Sequence, residues 1–553
     1  MTTPAPLTIS YRPADESVDL LDLTVGDLLR QAAAEVPDRL ALVDGDPDPG
    51  ARRGWTYAEL LRTAEKVARA LLARFEPGSH IAVWSPNRPE WMLLQHGVSL
   101  AGMVLVTINP AYRSGELRKI LGQSRANAVF HSGTYRGYDL GAAIDEIRAD
   151  LPDLRESICF TDWDAFVASG DDVTPLPSVS PGDPTQIQYT SGTTGFPKGA
   201  ILHHRGIVNA SRFIALRAGF PEGGVWINAM PMFHIGGCGV TELGCLALRG
   251  TYVLMPGFDA GLILELIETY RGAISLVVPT MLVDMLDHPD AATRDLSSLR
   301  TILSGAAVVP ASLVRRTKAA FGCRFSIMFG QTELCGVITQ TQPDDSPEDQ
   351  AETIGRPLPQ VEVKIADPDT GEVRPIGEPG EICARGYQPM LGYYRMPAET
   401  AAALDADGWL HTGDLGSMDE RGYLRIVGRL KDMIIRGGEN IYPREIEDLL
   451  FAHPAVSEVA VVGVPDERWG ERVAAVIRPA DPENPPSPEA LRAYCREHLA
   501  NYKTPADWFF VDRHPRTASG KIQKFVLRDD IEAGRLRPIP WEARTGERPE
   551  PAV

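Results

Sequence analysis

From Tyr189 to Gly199 the chain reads Tyr-Thr-Ser-Gly-Thr-Thr-Gly-Phe-Pro-Lys-Gly, a stretch whose side chains suit one kind of ligand. Thr190, Ser191, Thr193 and Thr194 carry hydroxyl donors, and Lys198 adds a point charge. Gly192, Gly195 and Gly199 let backbone N–H groups close on an anion. Together these are the requirements of a triphosphate. The spacing is not that of a Walker A loop, because no Gly-Lys-Ser/Thr follows four spacer residues after the first glycine. A plain surface turn uses the same residue types. Here, however, the donors are dense, and the apolar runs at 187–189 and 200–202 place the loop between two strands.

Other stretches hold residues that could complete a site around such a loop. Met328-Phe329-Gly330-Gln331-Thr332-Glu333 ends a strand-like run on a carboxylate, and Trp409-Leu410-His411-Thr412-Gly413-Asp414 ends on another. Ser519-Gly520-Lys521-Ile522-Gln523-Lys524 is a glycine-containing basic loop. Pro231-Met232-Phe233-His234-Ile235-Gly236-Gly237 sets a histidine among apolar residues and glycines, and Gly236, Gly237 and Gly239 are expected to leave room beside it for a chain or ring. Arg436-Gly437-Gly438-Glu439-Asn440 reads as a turn between a strand and a helix. Taken singly, each has a plainer reading: a solvated charge, a capping aspartate, a core histidine, a glycine turn. Taken in order, they resemble the signatures of the adenylate-forming (ANL) superfamily, which comprises acyl-CoA synthetases, luciferases and peptide-synthetase adenylation domains. The resemblance runs from about Thr24 to about Arg528. It is strongest to the medium- and long-chain fatty acyl-CoA synthetases, notably around Trp84-Ser85-Pro86-Asn87 and Asn109-Pro110-Ala111-Tyr112-Arg113.

The resemblance implies roles residue by residue. Residues 190–195 and Lys198 would hold the phosphates of ATP, Glu333 would ligate Mg²⁺, and Thr332 would bond the α-phosphate. Phe329, where many members have Tyr, would pack on adenine, and Gly305 and Ala306 would line the adenine pocket. Asp414 would accept the ribose hydroxyls, with Arg429 also reaching the nucleotide. Lys521 would act in adenylation and His234 would line the acyl pocket. Lys431 would be the hinge, and Arg436, Gly437 and Gly438 would lie beside the pantetheine arm of CoA. The implied reaction is that of an ATP-dependent acid–CoA ligase. An adenylate passed instead to a carrier protein or an amine, or formed from an oxyanion such as nitrite, would need the same ATP site.

These residues need a scaffold that brings distant segments together. Helical spacing at 25–34, 57–74 and 89–101 alternates with strand-like runs at 40–43, 80–84 and 104–106, and the pattern recurs through 226–229, 251–254 and 273–278. Such alternation predicts parallel sheets covered by helices, an α/β fold. Short strands between Gly/Pro/Asp turns predict a small β-rich subdomain over 355–428. Alternation then resumes in a smaller α+β unit. The expected division is an AMP-binding domain over 1–430, a rotating C-terminal domain over 431–530, and a disordered or loosely docked tail over 531–553.

Composition narrows the class. A chain of 553 residues exceeds one ordinary core, and a formal charge of −19 argues against a nucleic-acid surface. The apolar stretch 91–108 is broken by Gln95, His96, Gly97 and Gly102, and reads as a buried helix and strand rather than a membrane span. No charged-then-apolar leader opens the chain, so the cytosol is the expected setting. Seven scattered cysteines lack metal-ligand spacing and read as buried thiols. Only nine lysines stand against 46 arginines, and Lys198, Lys431, Lys503 and Lys521 all fall in motifs. The expected partners are a small-molecule acid, ATP and CoA, with a homodimer as the default assembly.

Overall fold

The computed structural model describes residues 6–190, 197–305, 309–437, 439–466, 468–516 and 521–540. Helices begin where the sequence supplies caps. Thr24 and Thr56 accept from the N–H three residues on, while Asp27 and Glu59 reach back to the cap N–H. The amphipathic helix Tyr57–Leu72 buries Leu60, Ala64, Val67, Ala68 and Leu71. Helix Pro89–Leu100 is buried at every position and leads into strand Val104–Ile108. The stretch 91–108 is therefore a core helix and strand, as expected. Among the described residues no helix is long and apolar enough to cross a membrane.

Two large sheets carry the first part of the chain. One has seven strands in the order Gly392–Tyr393, Lys198–His203, Pro184–Thr190, Val104–Ile108, His80–Trp84, Ala128–His131 and Glu156–Cys159. The other has nine, with Arg324–Phe329, Thr301–Gly305, Ile274–Leu276, Val225–Asn228 and Thr251–Leu254 at its centre. Inner pairs are parallel, as is the edge pair Ala128–His131 with Glu156–Cys159; the other outer pairs are antiparallel. Helices Val25–Glu35, Tyr57–Leu72, Pro89–Leu100, His204–Arg217 and Glu242–Ala247 share one core with side chains from both sheets.

A five-stranded antiparallel sheet follows, in the order Tyr11–Arg12, Val361–Ala366, Gly380–Gly386, Leu410–Met418 and Leu424–Arg429. It matches the expected β-rich segment apart from short strands that cross its bounds, among them Arg356–Pro357, which pairs with Thr339–Gln340 of the nine-stranded sheet. Residues 11–12 join the edge of the five-stranded sheet from the far end of the chain, and strand Gly392–Tyr393 leaves to pair with Lys198–His203. Both are two-residue strands fixed by long-range pairing, so local sequence carries no signal for them. The single turn Leu430–Asp432 then leads into another α+β unit. Its sheet contains Ile434–Arg436, Glu439–Ile441, Val456–Asp466, Gly470–Pro479 and Asp507–Phe510, with Ile446, Leu450, Leu491 and Cys495 packed in one core and Leu527 in a second. Residues 531–540 are docked more firmly than a loose tail, and 541–553 lie outside the described residues. Helix Lys524–Glu532 runs past Asp530, Leu536 packs on the second core, and the Ile539 N–H donates to the Trp508 carbonyl at 2.8 Å.

Candidate active site

The two strands that flank the donor-rich motif pair antiparallel. Strand Pro184–Thr190 pairs with Lys198–His203 so that Thr190 lies opposite Lys198, and both stand at the base of the loop. Ser191, Gly192, Thr193, Thr194 and Gly195 lie outside the described residues, as do Ala306 and Gly438. Gly305 ends strand Thr301–Gly305, where a Cβ would stand 2.4 Å from the Met328 carbonyl oxygen of the neighbouring strand. Only glycine allows that approach. Phe329 ends the adjacent strand with its ring partly exposed, and Thr332 and Glu333 follow in a single turn, Thr332–Leu334.

Asp414 is 5% exposed and held from two sides. The Arg429 Nε is ion-paired to its Oδ1 at 2.8 Å, from the facing position of the next strand. The Gln331 Nε2 donates to its Oδ2 at 2.8 Å and to the Thr412 carbonyl at 2.6 Å. Each carboxylate oxygen keeps a second lone pair for a ligand hydroxyl. Gln331 thereby ties the Glu333 segment to the Asp414 segment, a link that no sequence pattern marked.

A second clamp lies behind Asp414. Glu381 Oε1 accepts from the Gly413 N–H at 2.9 Å, and Oε2 pairs with His411 Nδ1 at 2.7 Å. Cys383 Sγ lies 3.6 Å from the same ring nitrogen. These three side chains are close enough to share an ion, but 2.7 Å is the length of a charge-assisted hydrogen bond. They meet because Cys383 and His411 face each other across two strands, a register that sequence spacing does not reveal. Contact with Cys383 and the bond to Glu381 push the His411 imidazolium up to about 10 from an ordinary 6.5. The pair's contribution to stability is therefore fully present below about pH 6.5 and is lost as pH rises through about 10. Glu381→Gln is expected to lower the thermal midpoint at pH 6.5, with the gap to the parent closing toward pH 10. A gap that stays constant with pH would contradict the charged pair.

His234 is held in one tautomer. Its Nδ1 accepts from the Gly236 N–H at 3.0 Å, so the ring proton resides on Nε2. Burial, and then the charge of Lys521, push its pKa down to about 4, which keeps the ring neutral at pH 7. Gly237 and Gly239 do not open the space expected of them. A Cβ on Gly237 would meet the Pro231 carbonyl oxygen at 2.3 Å, and one on Gly239 would meet Ile235 Cδ1 at 2.6 Å. They serve close packing of the π-helical turn Gly236–Thr241, in which the Gly237 carbonyl accepts from Thr241 Oγ1 at 2.9 Å.

Lys521, from the C-terminal unit, stands among these groups. Crowding by protein and the charge of Arg429 lower its pKa, opposed by the carboxylates of Asp414 and Glu333. Lys521 is nevertheless exposed to solvent. Lys431 lies in the fields of Arg429, Asp432, Asp414 and Lys198; desolvation and then Arg429 push it down to about 8. The structure thus brings Lys198, His234, Glu333, Asp414, Arg429, Lys431 and Lys521 close enough for their charges to act on one another, where the two parts of the chain meet. Arg436 and Gly437 take their partners elsewhere, within the C-terminal unit. The Arg436 Nη1 donates to the Tyr502 carbonyl at 2.7 Å, and the Gly437 N–H to the Trp469 carbonyl at 2.7 Å. Gly437 has φ +62°, and a Cβ there would meet the Trp469 ring at 2.8 Å. Lys503 is ion-paired to Glu445 at 2.7 Å, which gives that lysine a structural role.

Glu333 suits a hard cation. One oxygen, Oε1, accepts from the Tyr393 hydroxyl at 2.8 Å, and among the described residues no hydrogen bond to Oε2 is seen. One carboxylate oxygen beside phosphate-binding groups is the protein share that Mg²⁺ requires, since it keeps waters and substrate oxygens for the rest.

Comparison with known proteins agrees with this geometry. Residues 29–394 match the family model of the AMP-binding enzymes, and residues 445–521 match that of the AMP-binding enzyme C-terminal domain. The putative acyl-CoA synthetase YngI of Bacillus subtilis is 39% identical over 92% of this chain and 97% of its own length. The human mitochondrial medium-chain acyl-CoA ligase ACSF2 is 36% identical over 95% of this chain and 90% of its own. ATP-bound MatB from Rhodopseudomonas palustris superposes with a TM-score of 0.84 at 30% identity, covering 92% of this chain and 99% of that one. By sequence over nearly its whole length and by fold, this chain belongs to the AMP-binding enzyme family.

Proposed function

We propose that this protein is an ATP-dependent acid–CoA ligase that forms an acyl-adenylate from a carboxylic acid, fatty or related, and transfers the acyl group to CoA. The observation that carries this reading is the approach of Lys521 to His234, Glu333 and Asp414, near enough for their charges to influence one another. In the first half-reaction a carboxylate oxygen attacks the α-phosphorus of ATP, the bond to the bridging oxygen breaks, and pyrophosphate leaves. Residues 190–195 and Lys198 hold the phosphates, Thr332 bonds the α-phosphate, and Phe329 and the segment at Gly305 flank adenine. Asp414, fixed by Arg429 and Gln331, accepts the ribose hydroxyls. The neutral His234 can donate its Nε2 proton to a carboxylate oxygen without surrendering a charge to it. Lys521 then offsets the negative charge shared by acid, phosphate and pyrophosphate as the bond forms. When bound at Glu333, Mg²⁺ would neutralise phosphate charge.

In the second half-reaction the C-terminal unit, residues 431–530, turns about Lys431. Lys521 is withdrawn and the loop at Arg436, Gly437 and Gly438 approaches the site. The CoA sulfur attacks the acyl carbon, AMP leaves, and the thiol proton passes to solvent. The seven cysteines are free thiols, six of them buried, which supports a reducing compartment such as the cytosol. The deciding experiment is pyrophosphate release with MgATP and a panel of aliphatic and aryl acids and nitrite, with and without CoA, with products read by mass spectrometry. The expected result is an acyl-CoA thioester and AMP from one acid class. Pyrophosphate release without CoA consumption would overturn the ligase reading and direct the adenylate to a carrier protein or an amine.

A further inference from the structure

Tyr393 belongs to none of the motifs, yet it touches two of the ATP-site groups. It is 8% exposed, and its hydroxyl donates to Glu333 Oε1 at 2.8 Å. The Lys198 ammonium stands over its ring, 5.0 Å from the centroid, within the range of a cation–π contact. The surrounding backbone is fixed on several sides. Strand Gly392–Tyr393 pairs with Lys198–His203, with Tyr393 opposite Ala200, and the Tyr394 N–H donates to the Gly199 carbonyl at 2.8 Å. The Tyr393 N–H donates to Thr400 Oγ1 at 2.9 Å, and the Met390 N–H to the Glu333 carbonyl at 2.8 Å. Residues 390–394 thus lace the turn carrying Glu333 to the strand carrying Lys198.

We propose that Tyr393 is a positioning residue for adenylation: its hydroxyl fixes the Glu333 carboxylate so that Oε2 faces the metal and ATP, and its ring fixes the Lys198 ammonium toward the phosphates. The inference rests on the roles given to Glu333 and Lys198 above. Both side chains are long and rotamer-rich, and holding them in place before ATP arrives removes ordering entropy from the binding step. A phenol hydrogen-bonded to a carboxylate is a strong restraint on one of them, because the acceptor is charged. The ring is a restraint on the other that needs no hydrogen bond.

The two functions separate chemically, since Tyr393→Phe keeps the ring and loses the hydroxyl, whereas Tyr393→Leu loses both. The readout is Mn²⁺ binding to the full-length protein by electron paramagnetic resonance, with an ATP analogue that cannot be cleaved between the α- and β-phosphates. Alongside it run the Mg²⁺ titration of adenylate formation and the thermal midpoint. Tyr393→Phe is expected to weaken Mn²⁺ binding roughly tenfold, the size of one charge-assisted hydrogen bond. The Mg²⁺ titration should move by the same factor, with the KM of the acid unchanged and the thermal midpoint lowered no more than the loss of one hydrogen bond accounts for. Tyr393→Leu should in addition weaken binding of the analogue by about threefold, for the lost cation–π contact. Glu333→Gln provides the reference. If it weakens Mn²⁺ binding and Tyr393→Phe does not, the positioning role is wrong while the metal assignment stands. If Glu333→Gln leaves Mn²⁺ binding unchanged, the metal assignment falls and the inference about Tyr393 falls with it.

Discussion

Lys521→Ala is expected to reduce acyl-adenylate formation by about 10²- to 10³-fold, the loss that follows removal of one preorganised donor from a developing oxyanion. Formation of the thioester from supplied acyl-adenylate and CoA should be retained, because Lys521 belongs to the site only while the C-terminal unit faces it in the present orientation. The structure gives this prediction a control. The pKa of Lys521 is lowered by its crowded surroundings and by Arg429, so its charge at neutral pH is disfavoured in the folded protein before ATP binds. Alanine removes that charge, and the thermal midpoint measured alongside shows that the variant remains folded. His234 offers a second readout. Lys521 is one of the two influences that depress its pKa, so the imidazole should titrate at higher pH in the variant, measurable by NMR. Equal loss of both half-reactions would remove Lys521 from its assigned role. An unmoved His234 titration would place the lysine outside the site.

Lys431→Pro is expected to do the reverse, leaving adenylate formation within a few-fold of the parent and reducing thioester formation by two orders of magnitude or more. Lys431 is the second residue of the single 3₁₀ turn Leu430–Asp432, a conformation whose typical φ of about −50 to −70° proline shares. Proline can occupy the present conformation but cannot leave it, so a rotation that changes φ at this residue is blocked. Lys431 also carries a charge whose pKa is pushed down to about 8 beside Arg429, Asp414 and Lys198. Loss of charge must therefore be separated from loss of backbone freedom. Lys431→Ala serves, since it removes the ammonium and keeps the rotation, and it should retain thioester formation. If alanine and proline are equally impaired in the second step, the side chain and not the hinge is responsible. If proline turns over thioester normally, the rotation is centred elsewhere.

Much of this protein was determined by local sequence. The helices at Tyr57–Leu72 and Pro488–His498 and the strands at His80–Trp84 and Thr251–Leu254 follow from apolar periodicity and from caps such as Thr56 with Glu59. The donor-rich loop at 190–198 announces an anion site through composition alone. The order of the motifs identifies the family, since each motif is a short contiguous segment whose identity does not depend on what it touches. What tertiary structure alone decided are the contacts between motifs. Gln331 reaches Asp414, Tyr393 reaches Glu333 and Lys198, and Cys383 and Glu381 meet His411. Each joins segments separated by tens to hundreds of residues through a strand register or a two-residue strand, and neither leaves a periodic trace in sequence. The same reason explains the misreading of Gly237 and Gly239. A glycine that makes room for a ligand and one that lets two backbones touch are the same letter, and only the neighbouring Pro231 carbonyl distinguishes them. The state of His234 was likewise undetermined until its Nδ1 was seen to accept from the Gly236 N–H. Residue type supplies the chemistry that a group can do, and tertiary packing selects the protonation state and direction in which it does it.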